Sequence, residues 1–329
     1  MEVLNINNLR IQFKTMEGMV HAVNGVTLSI EKGETLGLVG ETGAGKTTTA
    51  LAVLRLIQTP PGIYADGSIL FNGESIFDKK ESEMRKIRGN KISMIFQDPM
   101  TALNPIMTVG DQITEVVRLH NRDMTTSDAQ KRASEMLEIV GIPAERFSEY
   151  PHQFSGGMKQ RVVIAIALAC NPELLIADEP TTALDVTIQA QVLTMMEQLK
   201  EQFHTSMLLI THDLGVVADI CDKVAIMYAG QVVEFGNLDD IYNQTAHPYT
   251  KGLFGSIPSL DKKVRRLNPI KGMLSDPTNL PSGCAFHPRC PYVTDKCREA
   301  CPQRKEISPG HFVTCWMFDG DIEREAADD

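Results

Sequence analysis

The chain has 329 residues, of which 43% are hydrophobic and 22% charged, so its composition is that of a globular protein and excludes wholesale disorder, a collagen and a coiled coil. The longest apolar run, Val162 to Cys170, has nine residues, whereas a membrane-spanning helix needs about 20; the polar amino terminus is not a signal peptide, and we expect a cytosolic protein. The net charge is −10, and residues 1–245 hold 20 basic against 31 acidic side chains, which argues against a nucleic-acid partner.

The first third of the chain is predicted to consist of strands around one helix. Alternating polar and apolar residues indicate half-buried strands, and short apolar runs that end in glycine indicate buried ones. The candidate strands are VLNINNLRIQF, AVNGVTLSI, ETLGLVG, SILFNG and KISMIFQ. The helical pattern of this part follows the glycine-rich segment after ETLGLVG.

That glycine-rich segment, GETGAGKT from Gly40 to Thr47, matches the G-x-x-x-x-G-K-[ST] pattern of a P-loop between a strand and a helix. Its glycines let backbone N–H groups close around phosphate, and the helix amino terminus adds positive potential. Lys46 is predicted to reach the β- and γ-phosphates of ATP, and Thr47 to hold Mg²⁺ through its hydroxyl. The predicted nucleotide-binding residues of the loop are Gly40, Thr42, Gly43, Ala44, Gly45, Lys46, Thr47 and Thr48.

A helical insertion is predicted from about residue 98 to about residue 160. ITEVVRLH and DAQKRASEMLEIVGI have helical spacing, and Ser127 with Gln130 resembles a capping box. Helices and strands alternate after it, which indicates a mostly parallel sheet. These are helix GGMKQRVVIAIALAC, strand ELLIADEP, helix IQAQVLTMMEQLKEQF, strand SMLLITHD and one long strand, KVAIMYAGQVVEFG.

The strand LLIADEP, Leu174 to Pro180, ends in two carboxylates. Asp178 is placed to bind the Mg²⁺ shell, and Glu179 to polarise an attacking water as general base. Two acids at a strand end can be merely solvated, but the P-loop upstream argues for the catalytic interpretation.

The segment FSGGMKQR, Phe154 to Arg161, has two glycines after a serine at a helix start, which makes a second anion-binding nest. The chain thus has two phosphate-binding helix starts but one P-loop lysine. In this it resembles the ATP-binding cassette (ABC) family, in which the second nest, usually LSGGQ, serves the nucleotide of a partner cassette. Phe154 and Met158 depart from that form, whereas the core of Ser155, Gly156 and Gly157 is intact.

Other segments continue the resemblance in order. It implies that Gln97 in MIFQDP senses the γ-phosphate and Mg²⁺, that TALD (Thr182 to Asp185) lies at the dimer interface, and that His212 in LLITHD acts at the γ-phosphate. It also implies that Phe13 stacks on adenine. Lone histidines and single aromatic residues on strands are more often structural, and that role is the alternative for His212 and Phe13.

The fold that the resemblance implies is α/β, an ABC-type P-loop nucleotide-binding domain with a RecA-like core, an antiparallel β subdomain and a helical subdomain. It covers residues 1–245, and residues 246–329 form a Cys-rich C-terminal extension. Two cassettes are implied to close on two ATP molecules, so that Lys46 and Glu179 of one face Ser155 and Gly157 of the other.

The extension begins with His247, Pro248, Tyr249 and Thr250, and with GCAFHPRCPYVTDKC it is similar to that of dipeptide, oligopeptide and nickel importer ATPases, most of all the peptide branch. The resemblance implies a peptide importer ATPase at the cytoplasmic face of the membrane. Its implied partners are a second cassette, identical or related, two membrane permeases and, indirectly, an extracytoplasmic binding protein. Nickel import, or a soluble ABC ATPase not coupled to transport, is the alternative.

Five cysteines lie between residues 284 and 315. Disulfides are disfavoured in a cytosolic chain, and the spacings of 5, 6 and 17 residues between Cys284, Cys290, Cys297 and Cys315 lack the short pairs typical of zinc sites. Cys₄ ligation suits an iron–sulfur cluster, and the resemblance implies a 4Fe–4S cluster on these four residues, which leaves Cys301 over. Cys301 in place of Cys297 is the alternative fourth ligand. Zinc, and a segment without metal, remain alternatives. Cys170 and Cys221 are assigned no chemistry.

Overall fold

A computed structural model describes residues 1–182, 184–256 and 270–319, without the side chains of residues 99 and 100. Its strands are β1 (Glu2–Thr15), β2 (Gly18–Glu31), β3 (Thr35–Val39), β4 (Gly62–Phe71), β5 (Glu74–Ser75), β6 (Ile92–Ile95), β7 (Leu174–Asp178), β8 (Ser206–Thr211), β9 (Lys223–Tyr228), β10 (Gln231–Asn237), β11 (Lys305–Ser308) and β12 (His311–Val313). Its α-helices are α1 (Lys46–Val53), α2 (Glu81–Ile87), α3 (Pro99–Ala102), α4 (Val109–His120), α5 (Thr126–Ile139), α6 (Gly156–Leu168), α7 (Val186–Phe203), α8 (Leu214–Ile220), α9 (Leu238–Asn243), α10 (Pro248–Gly255) and α11 (Asp295–Glu299).

The strands form two sheets. One is antiparallel, in the order β2-β1-β4-β5. The other is mixed, in the order β11-β12-β10-β9-β3-β8-β7-β6, and its strands from β9 to β6 are parallel. The α/β fold with a mostly parallel central sheet, as predicted from alternating helices and strands, is therefore confirmed.

Both faces of the parallel strands are buried, which explains their unbroken apolar sequences. On β8, Leu208 and Ile210 pack into a core shared with the antiparallel sheet, whereas Met207 and Leu209 pack into a core shared with the helices. Alternate side chains of one strand thus join two separate cores, because successive side chains of a strand point to opposite faces.

The helical insertion lies between β6 and β7. Val109, Ile113 and Val117 of α4 are fully buried at helical spacing and belong to the same core as Ala133 and Met136 of α5. The helix α6 belongs to both parts, since its first residues follow the insertion and its later residues join the core beside the sheet. It therefore connects the Ser155–Gly157 segment rigidly to the strand that carries Asp178.

Two local predictions were wrong. The segment KVAIMYAGQVVEFG is a hairpin of β9 and β10 rather than one strand, because Ala229 and Gly230 both take left-handed φ angles, of 46° and 79°, and reverse the chain. The cap of α5 is Thr125 instead of Ser127, and its hydroxyl accepts a hydrogen bond from the Asp128 N–H at 3.1 Å.

The C-terminal segment continues the mixed sheet. Strand β12 pairs with β10 through Glu234 opposite Val313, and β11 pairs with β12. Tyr249 and Phe286 are buried in the core of the cassette. The segment is therefore stabilised by packing on the apolar core of the cassette, since its own sequence has few apolar residues with which to build a core.

Among residues 1–182, 184–256 and 270–319, no helix combines the length and the apolar character needed to cross a lipid bilayer.

Candidate functional site

Most of the predicted catalytic residues meet at one edge of the mixed sheet. The P-loop follows β3, Gln97 follows β6, Glu179 follows β7 and His212 follows β8. Since these four strands are parallel, their carboxyl ends lie at the same edge, where open α/β sheets bind their ligands. The sheet topology thus brings four motifs that are distant in sequence to one place.

The P-loop is shaped by two crowded glycines. A Cβ on Gly40 would lie 2.1 Å from the Met227 carbonyl oxygen, and one on Gly45 would lie 2.4 Å from that of Ala22. Gly45 also has a left-handed φ of 97° at the cap of α1, a conformation that glycine adopts without steric cost. These positions accept no side chain, which accounts for their place in the pattern.

Lys46 is held inside this loop. Its ammonium donates hydrogen bonds to the carbonyl oxygens of Gly40, at 2.7 Å, and Glu41, at 3.1 Å. Burial lowers the pKa of Lys46, and the nearby carboxylates of Glu179, Asp178 and Glu41 oppose that shift. The lysine therefore lies among negative charges. A bound phosphate would replace the two carbonyl oxygens as the partner of its ammonium.

Asp178 is a buried carboxyl group with one unused oxygen. Its side chain is 2% exposed, it accepts a hydrogen bond from Thr47, and its Oδ1 has no hydrogen-bond partner within the described part of the chain. Burial raises the pKa of Asp178, and the neighbouring Glu179 raises it further. A buried carboxylate oxygen that lacks a partner, next to a threonine hydroxyl, fits the oxygen ligands that Mg²⁺ prefers.

Glu179 is the point at which the other predicted residues converge. Its Oε2 accepts hydrogen bonds from Gln97 Nε2 at 2.8 Å and Thr182 Oγ1 at 3.1 Å, and its Oε1 lies 3.2 Å from His212 Nδ1. Burial alone would raise the pKa of Glu179, but the hydrogen bonds from His212, Thr182 and Gln97 hold it below its ordinary value. The carboxylate is therefore ionised at neutral pH, as a general base must be.

The backbone of Glu179 is strained, because its φ of 46° lies in the left-handed region. That conformation costs a residue with a Cβ about 1–2 kcal/mol. The Glu179 N–H donates to the carbonyl oxygen of Ile210 on β8 at 2.9 Å, which fixes the turn after β7. The strain is thus offset in part by a bond to the neighbouring strand.

The second anion-binding nest lies apart from this group. Ser155 caps α6, its Oγ accepting from the Met158 N–H at 3.4 Å. A Cβ on Gly157 would lie 2.5 Å from Ile188 Cγ2 of α7. Within the described residues, no hydrogen bond or ion pair links Ser155, Gly156 or Gly157 to the P-loop.

The two departures from LSGGQ serve packing. Phe154 is 5% exposed, and the guanidinium of Arg146 lies 4.2 Å from the centre of its ring. The sulfur of Met158 lies 3.3 Å from Arg146 Nη1. Phe154 and Met158, the two residues that differ from LSGGQ, thus both contact Arg146 of the insertion, while Ser155 is exposed.

Phe13 and the TALD segment complete the predicted set. Phe13 is half-buried on β1 and pairs with Val20 of β2, two residues from the Ala22 carbonyl that approaches the P-loop. In TALD, Thr182 reaches Glu179, and Asp185 caps α7 by accepting from the Ile188 N–H at 3.0 Å. Ala183 lies outside the described residues.

Four of the five clustered cysteines line one cavity, Cys284, Cys290, Cys297 and Cys315, together with Phe286 and Trp316. Cys301 is exposed, and its thiol donates to the Gly283 carbonyl oxygen at 2.8 Å. Among the described residues, no three His, Cys, Asp or Glu side chains are grouped closely enough to hold a metal ion. The cavity therefore gathers the predicted ligands, without Cys301, but not as a closed metal site.

Burial raises the pKa of three of these thiols, to about 11 for Cys284 and about 12 for Cys315, and Cys290 is raised as well. The thiols also raise one another's pKa, so four thiolates in this cavity would repel. Each of the three receives a hydrogen bond from the backbone N–H two residues later, of Phe286, Tyr292 and Met317 respectively. Such bonds to sulfur support thiolate ligands of a metal centre.

Sequence reasoning missed Glu41, Tyr249 and Arg289. The guanidinium of Arg289 bonds both oxygens of Glu41, at 2.7 and 3.1 Å, and the Glu41 N–H donates to the Tyr249 hydroxyl at 3.0 Å. Glu41 occupies a variable position of the P-loop pattern, and Arg289 is 248 residues away. No local pattern could have indicated this pair.

Known proteins similar to this chain were found at the level of family, sequence and structure. Residues 23–182 match the ABC transporter family, and residues 233–297 match the family described as oligopeptide/dipeptide transporter, C-terminal region. The chain is 51% identical to the oligopeptide transport ATP-binding protein AppD of Bacillus subtilis, over 96% of this chain and 97% of that relative. It is 49% identical to the dipeptide transport ATP-binding protein DppD of the same organism, over 97% and 95%.

Among solved structures, a dimeric ATP-binding cassette bound to ADP and Pi is similar with a TM-score of 0.64 and 28% identity, over 71% of this chain and 98% of that one. CbiO1 from Clostridium perfringens, part of an ABC transporter complex, has a TM-score of 0.63 and 26% identity, over 74% and 91%.

Proposed function

This chain belongs to the ABC transporter family, in its oligopeptide/dipeptide branch, and from that premise we propose that it is the ATPase subunit that powers import of di- or oligopeptides. It would act at the cytoplasmic face of the membrane on two permease subunits, together with a second cassette. An extracytoplasmic binding protein would deliver the peptide. The observation that carries the proposal is the convergence of Gln97, Thr182 and His212 on Glu179 beside the P-loop.

ATP would bind with its phosphates in the P-loop, where the Lys46 ammonium exchanges two carbonyl oxygens for phosphate oxygens. Thr47, Gln97 and Asp178 would hold Mg²⁺, which neutralises charge on the phosphates when bound. Glu179, ionised and hydrogen-bonded on both oxygens, would orient a water and take its proton as the water attacks the γ-phosphate. Gln97 and His212 contact the base itself, so their positions would couple the presence of the γ-phosphate to catalysis.

The separation of the second nest from the P-loop supports a dimer. Ser155 is exposed and caps the amino terminus of α6, the end of a helix that binds anions. Since this nest is not joined to the chain's own P-loop, we infer that it closes on the ATP of the partner cassette. The Asp185-capped start of α7 packs beside Gly157 and would lie at the same interface.

Uptake of a labelled peptide into proteoliposomes that contain the whole transporter tests the function. Wild type should accumulate peptide only with ATP, and Glu179→Gln should retain ATP binding while hydrolysis and uptake fall by about 100-fold or more, since a general base contributes about 10²–10⁴. Glu173→Gln is the matched control, because Glu173 lies before β7 and bonds Lys91 and Asn72 on the surface. Ion uptake with Ni²⁺ in place of peptide uptake, or normal turnover of Glu179→Gln, would refute the proposal.

We further propose that Cys284, Cys290, Cys297 and Cys315 hold a 4Fe–4S cluster. Their shared cavity and the backbone N–H groups directed at three of the sulfurs support it. A metal centre supplies the positive charge that four thiolates in one partly buried cavity need. Zinc is the competing occupant, and the role proposed for the centre is to fix a segment that lacks a core of its own.

The test is anaerobic purification of single Cys→Ser variants. Wild type should be brown, bleach with dithionite and contain iron and sulfide. Cys297→Ser should lose the chromophore, whereas Cys301→Ser should keep it, because Cys301 is exposed and faces the Gly283 carbonyl instead of the cavity. A colourless wild-type protein with one equivalent of zinc would replace the iron–sulfur proposal by the zinc alternative.

A further inference from the structure

In the described part of the chain, the hydrogen bonds and ion pair that join the C-terminal segment to the phosphate-binding loop are made at Glu41. The Glu41 side chain forms a two-pronged ion pair with Arg289, at 2.7 and 3.1 Å. Its N–H donates to the Tyr249 hydroxyl at 3.0 Å, and its carbonyl oxygen accepts from Lys46 Nζ at 3.1 Å. Two residues of the C-terminal segment thus act on the residue that in turn contacts the P-loop lysine.

The Arg289 end of this contact is buried and rigid. The Arg289 side chain is 4% exposed, and its guanidinium lies 5.7 Å from the centre of the Tyr228 ring. Tyr228 packs against Tyr249 and Phe286, with ring centres 4.7 and 5.2 Å away. Arginine suits such a place because its planar fork matches a carboxylate with two parallel hydrogen bonds.

The charge of Glu41 matters for the nucleotide. Its carboxylate is close enough to Lys46 to oppose the loss of the lysine's proton. Left unpaired, this negative charge would repel the phosphates of ATP and compete for Lys46. The Glu41 side chain is 28% exposed, so water screens part of that repulsion. Arg289 neutralises Glu41 at the wall of the phosphate site.

We propose that Arg289 and Tyr249 are positioning residues for ATP binding, acting through Glu41, so that the C-terminal segment sets the nucleotide affinity of the cassette in its own chain. Arg289 removes the effect of the Glu41 charge, and Tyr249 holds the Glu41 backbone so that the loop keeps its shape. This inference rests on the ATP binding proposed above and assigns the extension a part in it. Cys290 follows Arg289 directly, which places the cysteine cavity next to the contact.

The test is a double-mutant cycle on the full chain with Arg289→Gln, Glu41→Gln and the double variant. ATP dissociation constants are measured by calorimetry, and KM and kcat in the assembled transporter. Arg289→Gln should weaken ATP binding about tenfold, which corresponds to roughly 1.4 kcal/mol, and raise KM more than it lowers kcat. Adding Glu41→Gln should restore affinity to within about threefold of wild type, because the repelling charge is gone.

Melting temperatures of the three variants distinguish this role from a merely structural one, because a structural role would make the loss and recovery of affinity follow the melting temperature. Arg298→Gln is the control, because Arg298 is an exposed cation of the same segment that pairs with Asp295. Wild-type affinity in Arg289→Gln, or no recovery in the double variant, overturns the inference. Absence of ATP binding in wild type overturns the proposed function instead.

If Arg289→Gln fails to fold, as judged by its thermal melting, Tyr249→Phe provides an independent test. This change removes only the hydroxyl that accepts from the Glu41 N–H. It should weaken ATP binding several-fold with an unchanged melting temperature. A folded Tyr249→Phe protein with wild-type affinity overturns the inference.

Discussion

At the scale of single residues, Glu179 combines two opposed influences. Burial disfavours its charge, whereas donors from three different strand ends and loops favour it, and the donors prevail. Gln97 and Thr182 share one carboxylate oxygen and His212 bonds the other. Because the donors come from separate motifs, a movement of one strand end that breaks its hydrogen bond would raise the pKa of Glu179.

This balance predicts the pH dependence of a His212→Ala variant. His212 provides the largest of the effects that lower the pKa of Glu179, so its removal should raise that pKa. A base with a lowered pKa stays ionised as the pH falls, and one with a raised pKa is protonated sooner. The acid limb of the profile of kcat against pH should therefore move to higher pH in His212→Ala, as a series of steady-state assays between about pH 5 and pH 8 will measure.

His204→Asn is the control for this prediction. His204 is exposed and ends α7 with a φ of 52°, a conformation that asparagine tolerates well. Its profile should match that of wild type. An acid limb of His212→Ala that coincides with the wild-type limb would show that His212 does not influence the protonation of Glu179.

The candidate catalytic residues could be proposed singly from sequence because each follows an apolar strand within a short pattern. Their convergence needed only the rule that parallel strands share a carboxyl edge. The pair of Glu41 and Arg289 could not be predicted, since ion pairs between distant segments depend on tertiary packing and leave no local periodicity. Tyr249 was noticed as part of the His-Pro-Tyr motif, but not its bond to the P-loop.

At the scale of elements, the start of α6 has two glycines with different surroundings. A Cβ on Gly157 would overlap Ile188 of α7, at 2.5 Å, whereas one on Gly156 would have its nearest neighbour, Leu184, at 3.8 Å. Gly157 is therefore required by the fold of this chain. Gly156 has room in the single chain, so the need for glycine that we propose there would come from the partner's nucleotide.

Alanine substitutions should separate these two requirements. Gly157→Ala should lower Tm by several degrees, since overpacking costs about 1–3 kcal/mol and each kcal/mol shifts Tm by about 2–4 °C in domains of 150–250 residues. Gly156→Ala should leave Tm unchanged or slightly higher, because alanine favours helix, while ATPase activity of the assembled pair falls. Differential scanning calorimetry and ATPase assays measure the two effects, and equal melting temperatures would contradict this account of Gly157.

Elements with strong periodicity were predicted well, and turns and caps were not. The run from Lys223 to Gly236 is almost continuously apolar, so it was taken as one strand although Ala229-Gly230 reverses it. Both halves are buried, and the alternation that would mark a hairpin is therefore missing. The cap of α5 was misplaced by two residues because Thr125, Thr126 and Ser127 are all capable caps, and tertiary packing selects among them.

At the scale of the whole molecule, the C-terminal segment is joined to the cassette by a sheet, a core and a buried charge. Strand β12 extends the sheet beyond β10, and Phe286 packs on Tyr228. Glu234, 1% exposed, accepts hydrogen bonds from the N–H groups of Ala246 and His247 and bonds His311 Nε2 at 2.9 Å. The prediction of an extension over residues 246–329 did not include these contacts, because a segment that packs on an existing core needs no periodic apolar pattern of its own.

Glu234 is therefore the residue whose loss should detach the segment. Glu234→Ala leaves two buried N–H groups and the His311 ring without their acceptor, and breaking a buried pair in this way costs about 3–5 kcal/mol. Amide hydrogen exchange in residues 246–256 and 305–313 should accelerate more than in β3, β7 and β8, whose bonds lie within the cassette. Glu306→Ala is the control, because Glu306 is an exposed acid of β11 that bonds the Gly310 N–H. If exchange rises equally throughout the chain, the segment and the cassette unfold as one cooperative unit, and Glu234 stabilises the whole molecule rather than the junction.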